Sequence, residues 1–271
     1  MTPDVSRPDR TLHSTLVGDH GPVVVFLHGL FGRGRNFGAT VRAMQPHLRA
    51  LLVDLPNHGA SPWTDPVDYG QMAHAVAEHL RAGVAAEGPV HLVGHSMGGK
   101  TAMALALAEP DLVDHLVVVD VSPAGSGGGE EFEHLLGALS RIDLATLASL
   151  GDADRQLSRE VPQPSLRGFL LQNLRRDGSG RLAWQANLDV LRRDLAVVTG
   201  DVPHADGARF DGPVLWVAGS ESDYITDEDE PLMRRLFPRT RRVTVKDANH
   251  WVHSRQPQVF ADVVLRFLDA P

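Results

Sequence analysis

The sequence predicts an α/β fold in which a mostly parallel sheet is flanked by helices. Short runs rich in valine and leucine alternate with helix-like stretches, and continuous apolar runs of this kind suit strands buried on both faces. The alternation stops between residues 122 and 210, where the pattern is helical. We therefore expect a core formed by residues 1–121 and 211–271, and a helical cap, or lid, formed by residues 122–210 over the strand ends.

Six runs carry the strand pattern: Val23–Leu27, Ala50–Val53, Val90–Val93, Leu116–Val119, Val214–Val217 and Arg242–Val245. The helical patterns of the core are Gln71–Ala86, Met97–Ala108, Glu228–Leu236 and Pro257–Leu268. The insertion opens with the glycine-rich run Gly125–Gly129, which reads as flexible. The helical patterns of the insertion are Glu130–Ile142, Leu144–Leu150, Ser165–Arg176 and Trp184–Leu195. We expect no strand in the insertion.

Composition places the chain among ordinary globular proteins: it has 271 residues, of which 42% are hydrophobic and 22% charged. The formal net charge of −8 argues against nucleic-acid binding, which requires a clustered basic surface. Met1–Arg10 lacks the apolar core of a signal peptide, and no later run is long enough to span a bilayer. We therefore expect a cytoplasmic protein without membrane insertion, either a monomer or a homodimer. The absence of cysteine excludes disulfides and a thiolate nucleophile.

The strongest chemical signal is Gly-His-Ser-Met-Gly at residues 94–98, directly after a strand run and directly before a helical one. A serine at this place lies on a tight strand-to-helix turn, and the glycines on either side relieve the crowding. The backbone amide of Met97, at the helix N-terminus, can then point at an oxyanion. The pattern predicts that Ser96 is a nucleophile.

A second glycine turn, His-Gly-Leu-Phe-Gly at residues 28–32, follows the strand run Val23–Leu27. A glycine at a strand end lets the backbone approach the reacting atom, so the amide of Leu30 is the candidate for a second oxyanion donor. For the His28 side chain we expect a structural role, as a hydrogen-bonding group of this loop.

Chain order selects the base among fourteen histidines. With a nucleophile on this kind of turn, the acid and then the histidine follow later in the chain. His250 combines a late position with a loop directly after the strand run Arg242–Val245, and it is therefore the predicted base. No His-Glu-x-x-His pattern occurs, so we expect no metal site.

Two aspartates are candidates for the acid. Asp120 ends the strand run Leu116–Val119, and Asp223 lies one strand later, in the loop at residues 219–226. Either carboxylate could orient the imidazole of His250 and stabilise its protonated form. Sequence position alone leaves the two open.

Residues 94–101 also satisfy the P-loop pattern G-x-x-x-x-G-K-T, and Leu116–Asp120 resembles the strand that ends in a magnesium-binding aspartate. A nucleotidase is therefore an alternative. It leaves Ser96 and His250 without a role, and we instead expect Lys100 to pair with a nearby acid.

Several segments together resemble the YbfF-like branch of the α/β-hydrolase esterases: HGLFG at 28–32, DLPNHGASP at 54–62, GHSMGGK at 94–100, VVVDVSP at 117–123, FLLQNL at 169–174 and NHWVH at 249–253. The resemblance extends from about Val23 to Leu268. In one departure, Pro56 stands where the branch has arginine in its DxRNHGxSP segment, next to Asn57 and His58.

This resemblance implies the α/β-hydrolase fold and the hydrolysis of carboxylic esters, with acyl-CoA thioesters as a second substrate class. The partner it implies is a small-molecule acyl ester or thioester, with no metal or organic cofactor. It also implies that Asp120 is the acid of the triad. C–C bond hydrolases, perhydrolases and lyases use the same triad and are alternatives, as is a non-catalytic binding module.

Substrate contacts are expected from the insertion. Its candidate acyl contacts are Phe169, Leu170, Trp184 and Leu188. Its arginines could meet a CoA phosphate, although such charge runs are more often solvated helix faces; they are Arg175, Arg176, Arg192 and Arg193.

Overall fold

A computed structural model describes residues 11–86, 88–125, 127 and 129–269 of the chain. Met1–Arg10 lies outside these residues, and so do residues 126 and 128 of the glycine-rich run at 125–129.

Nine strands occur within the described residues: β1 Ser14–Val17, β2 Val23–Leu27, β3 Arg49–Val53, β4 Val90–His95, β5 Val113–Val119, β6 Leu174–Arg176, β7 Leu182–Trp184, β8 Val214–Gly219 and β9 Thr240–Val245. Seven of them form one sheet in the order β1-β3-β2-β4-β5-β8-β9. All neighbours in this sheet are parallel except β1, which pairs antiparallel with β3. The mostly parallel sheet and all six predicted strands are confirmed.

Eleven α-helices accompany these strands in the described part of the chain: α1 Gly38–Met44, α2 Tyr69–Arg81, α3 Met97–Ala108, α4 Gly129–Ser140, α5 Leu150–Leu157, α6 Pro164–Leu171, α7 Leu188–Arg193, α8 Leu195–Val198, α9 Glu230–Leu236, α10 Val252–Arg255 and α11 Pro257–Leu268. Helices α3 and α11 coincide with their predicted ranges. Helix α2 ends earlier than predicted, because a turn at Gly83 follows it.

The insertion differs from its predicted form because it contains the two-stranded antiparallel hairpin β6–β7. Its turn is closed by two bonds, from the Asp177 amide to the Arg181 carbonyl (2.8 Å) and from the Gly180 amide to the Asp177 carbonyl (2.9 Å). Gly180 has a φ of +81°, which glycine adopts without strain. The expectation of a strandless insertion was therefore wrong, and the Asp-Gly-Ser-Gly turn at 177–180 is the signal that marks the hairpin.

Both faces of the sheet are buried, which explains the continuous apolar strand runs. In β2, for example, Val25 and Leu27 belong to one apolar cluster, with side chains of α2 and α3, whereas Val24 and Phe26 belong to the other. This second cluster includes side chains of α1 and α11. Since the parallel strands all end at one edge, the loops after β2, β4, β5, β8 and β9 meet there.

No helix in the described residues combines the length and the apolar character needed to cross a bilayer.

Candidate active site

Ser96 lies on the sharp turn between β4 and α3, with φ of +52° and ψ of −120°. Such a backbone conformation is costly for a residue with a side chain, and strain of this kind is typical of functional sites. A Cβ at Gly94 would lie 2.4 Å from the Gly98 carbonyl oxygen, and one at Gly98 would lie 2.2 Å from the Leu27 carbonyl oxygen. The turn therefore requires both glycines of the motif.

His250 and Asp120 are hydrogen-bonded across the sheet edge, with 2.9 Å between His250 Nδ1 and Asp120 Oδ2. Asp120 is fully buried, and its other carboxylate oxygen accepts the Gly219 amide at 2.8 Å. The Ser222 hydroxyl also donates to Asp120 Oδ2. A carboxylate that accepts several hydrogen bonds is held in a fixed orientation. Asp120 thus presents a fixed acceptor to the imidazole.

Asp223, the alternative acid, has an exposed side chain. Its loop contributes to the site through two other residues that sequence analysis did not identify. Ser222 donates to Asp120, and the Tyr224 ring stacks on the His250 ring with 4.0 Å between centroids. The geometry therefore brings Asp120, and not Asp223, to the histidine.

The two predicted oxyanion donors lie on adjacent turns. Met97 is the first residue of α3, and Leu30 follows Gly29, where a Cβ would lie 3.1 Å from Ser96 Cβ. Neither the Leu30 nor the Met97 amide donates a hydrogen bond to another described residue. Two amides left free beside Ser96 are suited to bind an oxyanion.

Phe31, next to Leu30, is held from both sides in a left-handed conformation with φ of +61°. Its amide donates to His58 Nε2 at 3.3 Å, and its carbonyl accepts Asn173 Nδ2 at 2.7 Å. The segments DLPNHGASP and FLLQNL therefore act on the glycine turn at 28–32. Their part in fixing the backbone of Phe31 was not deducible from the sequence, because it depends on contacts between segments far apart in the chain.

His28 has the structural role expected of it. Its Nδ1 bonds the Gly29 carbonyl at 2.8 Å, and its Nε2 accepts the Leu55 amide at 3.0 Å. The neighbouring loop, which contains Pro56 and Asn57, is held by hydrogen bonds. Asn57 accepts the Thr64 amide and the side-chain amide of Asn187, at 2.9 and 3.0 Å.

The other histidines at the site are neutral at pH 7. Burial lowers the pKa of His28 to about 4 and that of His58 to about 3. Burial and the neighbouring His250 lower the pKa of His253 to about 3, and the same causes hold the pKa of His95 well below its usual value. His95 Nε2 lies 2.8 Å from the His250 carbonyl, so His95 supports the backbone of the candidate base.

Ser96 and His250 open into a small, mainly apolar pocket. The residues that line it are Leu30, Phe31, His95, Ser96, Phe132, Leu135, Leu166, Phe169, His250 and Trp251. Phe132 and Leu135 lie three residues apart on α4, and Leu166 and Phe169 lie three apart on α6. Each helix therefore turns one face to the pocket.

Of the four predicted acyl contacts, only Phe169 belongs to this lining. Leu170 and Leu188 are buried in the apolar core, and Trp184 packs against that core. Their helical or strand patterns are equally typical of packing residues, and nothing in the sequence separates the two roles.

Contrary to expectation, Lys100 forms no ion pair with an acid of the described residues. It is 1% exposed, and its ammonium donates to the carbonyls of Ala124 (2.7 Å) and Gly200. Ala124 lies near the start of the insertion and Gly200 lies toward its end, so Lys100 connects two parts of the insertion to α3. The insertion's arginines also have protein partners: Arg192 pairs with Glu133, and Arg193 pairs with Asp65.

Burial lowers the pKa of Lys100 to about 8. The folded protein then binds fewer protons than the unfolded chain between pH 8 and pH 10.5, so Lys100 adds stability as the pH rises through this window. At about 1.4 kcal/mol per pKa unit, the gain in the free energy of unfolding is on the order of 3 kcal/mol.

We expect Lys100→Met to lack this gain, so that its melting temperature falls progressively behind that of the wild type from pH 8 to pH 9.5. Parallel curves in differential scanning fluorimetry would contradict this. The chain's other lysine supplies the control, Lys246→Met.

The chain is similar to known lipases and esterases. The sn-1-specific diacylglycerol lipase ABHD11 of Mus musculus is 40% identical over 270 residues, which cover 97% of this chain and 86% of the lipase. Esterase YbfF of Escherichia coli is 27% identical, over 91% of this chain and 92% of its own. A solved structure described as a marine microorganism esterase superposes with a TM-score of 0.91 at 33% identity, covering 96% of this chain and all of that one.

The model of the alpha/beta hydrolase family matches residues 24–263, which include every candidate catalytic residue. The resemblance to the YbfF-like branch, first seen in short motifs, is confirmed over nearly the whole chain. A P-loop nucleotidase is inconsistent with this match and with the buried contacts of Lys100. The chain belongs to the alpha/beta hydrolase family.

Proposed function

We propose that this chain is a serine esterase in which Ser96, His250 and Asp120 form the catalytic triad. The observation that carries the proposal is the 2.9 Å hydrogen bond between His250 and the buried Asp120, at a pocket that Ser96 also lines. Because Asp120 holds Nδ1 of the imidazole, Nε2 is the nitrogen left to accept the serine proton.

The reaction begins when Ser96 Oγ attacks the ester carbonyl and His250 takes its proton. The carbonyl oxygen becomes an oxyanion, which the Leu30 and Met97 amides bind. His250 then protonates the departing alkoxide, leaving the acyl group on Ser96. Water, deprotonated by His250, attacks this acyl-enzyme; His250 then returns the proton to Ser96 Oγ as the acid is released. The charge of Asp120 stabilises the imidazolium in both halves of the reaction.

The substrate is a small-molecule ester whose acyl group enters the apolar pocket. Support for this orientation comes from the lining, where Phe132, Leu166 and Phe169 offer contacts for a hydrocarbon chain but no ionic partner. A relative of 40% identity is named for its action on diacylglycerol, and acyl glycerol esters are therefore the first lipid esters to assay. Acyl-CoA thioesters are a second class, because the same attack releases a thiolate.

We also propose a domain organisation and a cellular location for the protein. We infer that residues 122–210 form a cap over the triad, since α4 and α6 supply one wall of the pocket. The cytoplasmic location expected from the sequence is tested by cell fractionation.

Hydrolysis of p-nitrophenyl esters of graded acyl length, beside a matched series of acyl-CoA thioesters, tests the activity. We expect turnover of the esters by the wild type. Absence of turnover on every ester and thioester would overturn the proposal and favour a non-catalytic binding module. If the chain hydrolysed no ester but cleaved a C–C bond in a suitable substrate, it would be a C–C bond hydrolase instead.

Phe169→Ala is expected to shift the preferred acyl length upward, because it removes a ring that faces the pocket and packs 6.1 Å from the Trp251 ring. Turnover of the acetyl ester should change little, since a short acyl group does not reach the ring. The matched control is Leu170→Ala, one residue along α6, whose side chain is buried away from the pocket.

For Leu170→Ala we expect a lower melting temperature, with an unchanged acyl preference. An unchanged profile in Phe169→Ala, or a shifted profile in Leu170→Ala, would mean that the acyl group lies elsewhere.

A further inference from the structure

A second cluster of polar side chains lies at the other end of the central strands. His91 belongs to β4, and Asp114 and His115 belong to the neighbouring strand β5. Their ligand atoms, one from each residue, all lie within 4.8 Å of one another. We propose that these three side chains bind a divalent transition-metal ion of the Zn²⁺ class.

The spacing of the three side chains fits a metal ion. Asp114 Oδ2 lies 3.4 Å from His91 Nδ1 and 3.2 Å from His115 Nδ1. Ligand atoms bound tetrahedrally at Zn²⁺ distances of 2.0–2.1 Å are roughly 3.3 Å apart. Both imidazole nitrogens are buried, yet neither has a hydrogen-bond partner among the described residues. Two unpaired buried nitrogens are costly unless something binds them.

An irregularity in the sheet brings the three side chains together. The pairing of β4 with β5 runs from Val90 opposite Val113 to Leu92 opposite Leu116, so Asp114 and His115 together lie opposite His91. In a regular strand two consecutive side chains point to opposite faces. A bulge of this kind re-aims one of them, and here it allows both residues of β5 to approach the same imidazole.

The site is accessible and chemically selective. The His91 and His115 side chains are 12% and 14% exposed, whereas Asp114 is 50% exposed and leaves an approach from solvent. The His115 ring is supported by the Phe267 ring, with 5.3 Å between centroids. Two imidazoles and one carboxylate suit Zn²⁺, Co²⁺ or Ni²⁺, whereas Mg²⁺ and Ca²⁺ prefer oxygen ligands.

Metal binding here is separate from the esterase reaction. Ser96 follows His91 by five positions in the sequence, which at the rise of a strand amounts to about 16 Å. The ion would therefore stabilise the amino ends of β4 and β5 without touching the substrate. The expectation of no metal site rested on the helical His-Glu-x-x-His spacing, which does not describe ligands on two strands.

The test is Zn²⁺ binding by the full chain after treatment with a chelator, measured by calorimetry and by thermal shift. We expect saturable binding of one ion and, at 100-fold excess over Kd, a rise in melting temperature of roughly 5–10 °C. Mg²⁺ and Ca²⁺ should produce neither effect. Bound Co²⁺ should give the strong visible absorption of a tetrahedral complex.

Asp114→Asn and His91→Gln should each weaken Zn²⁺ binding at least 10-fold. Asp111→Asn, an exposed aspartate nearby, is the matched control and should bind as the wild type does. Ser96→Ala should also bind normally, so that failure of the esterase proposal would leave this one standing. No saturable Zn²⁺ binding, or equal affinity in Asp114→Asn, His91→Gln and the wild type, would overturn the proposal.

Discussion

Ser96→Ala is expected to lower turnover of the best ester by a factor on the order of 10⁶, leaving the fold intact. The hydroxyl is the group that forms the acyl-enzyme, and no cysteine can replace it as nucleophile. Alanine retains the Cβ, so the strained turn between β4 and α3 is preserved. Steady-state assays on the ester series, with the melting temperature measured in parallel, check both statements.

Ser158→Ala, at an exposed position outside the pocket, is the control and should keep wild-type turnover. If purified Ser96→Ala hydrolysed esters nearly as fast as the wild type, the assignment of the nucleophile would be wrong.

Asp120→Asn is expected to reduce turnover by a factor of roughly 10⁴, which is the typical effect of replacing the orienting carboxylate by its amide. An amide beside His250 Nδ1 carries no charge to stabilise the imidazolium and favours the wrong tautomer. It also disturbs the bonds from Ser222 and the Gly219 amide. The measurement is kcat on one ester over a range of pH.

Asp223→Asn is the matched control, because Asp223 lies in the same loop as Ser222 but has an exposed side chain. We expect a change of less than a few-fold. A large loss in Asp223→Asn with little loss in Asp120→Asn would reverse the assignment of the acid.

Local patterns predicted the parts of this molecule that local chemistry determines. The glycines at 94 and 98 are required by the turn that carries Ser96, so the motif itself reports the geometry. The buried strands were predicted from their continuous apolar runs. Strand β1 did not, because it is short and half-exposed, and lies at the edge of the sheet.

Contacts between segments far apart in the chain could not be predicted from local sequence patterns. Asp120 and Asp223 both follow core strands, so strand position left the choice of acid open; the family resemblance favoured Asp120, and the fold brings Asp120 to His250. In the same way, Phe169 and Leu170 are adjacent apolar residues on one helix, and its rotation decides which faces the pocket. Lys100 was expected to pair with an acid, but the fold buries it against two carbonyls.

The most direct test of the central claim, that Ser96 is an activated nucleophile, is covalent labelling with a fluorophosphonate followed by peptide mass spectrometry. We expect one label per chain, located on Ser96, with loss of ester hydrolysis in proportion to labelling. We also expect His250→Ala to react far more slowly, since the base that activates the serine is missing. Ester hydrolysis that persists in a protein fully labelled at Ser96, or labelling confined to another serine, would contradict the account.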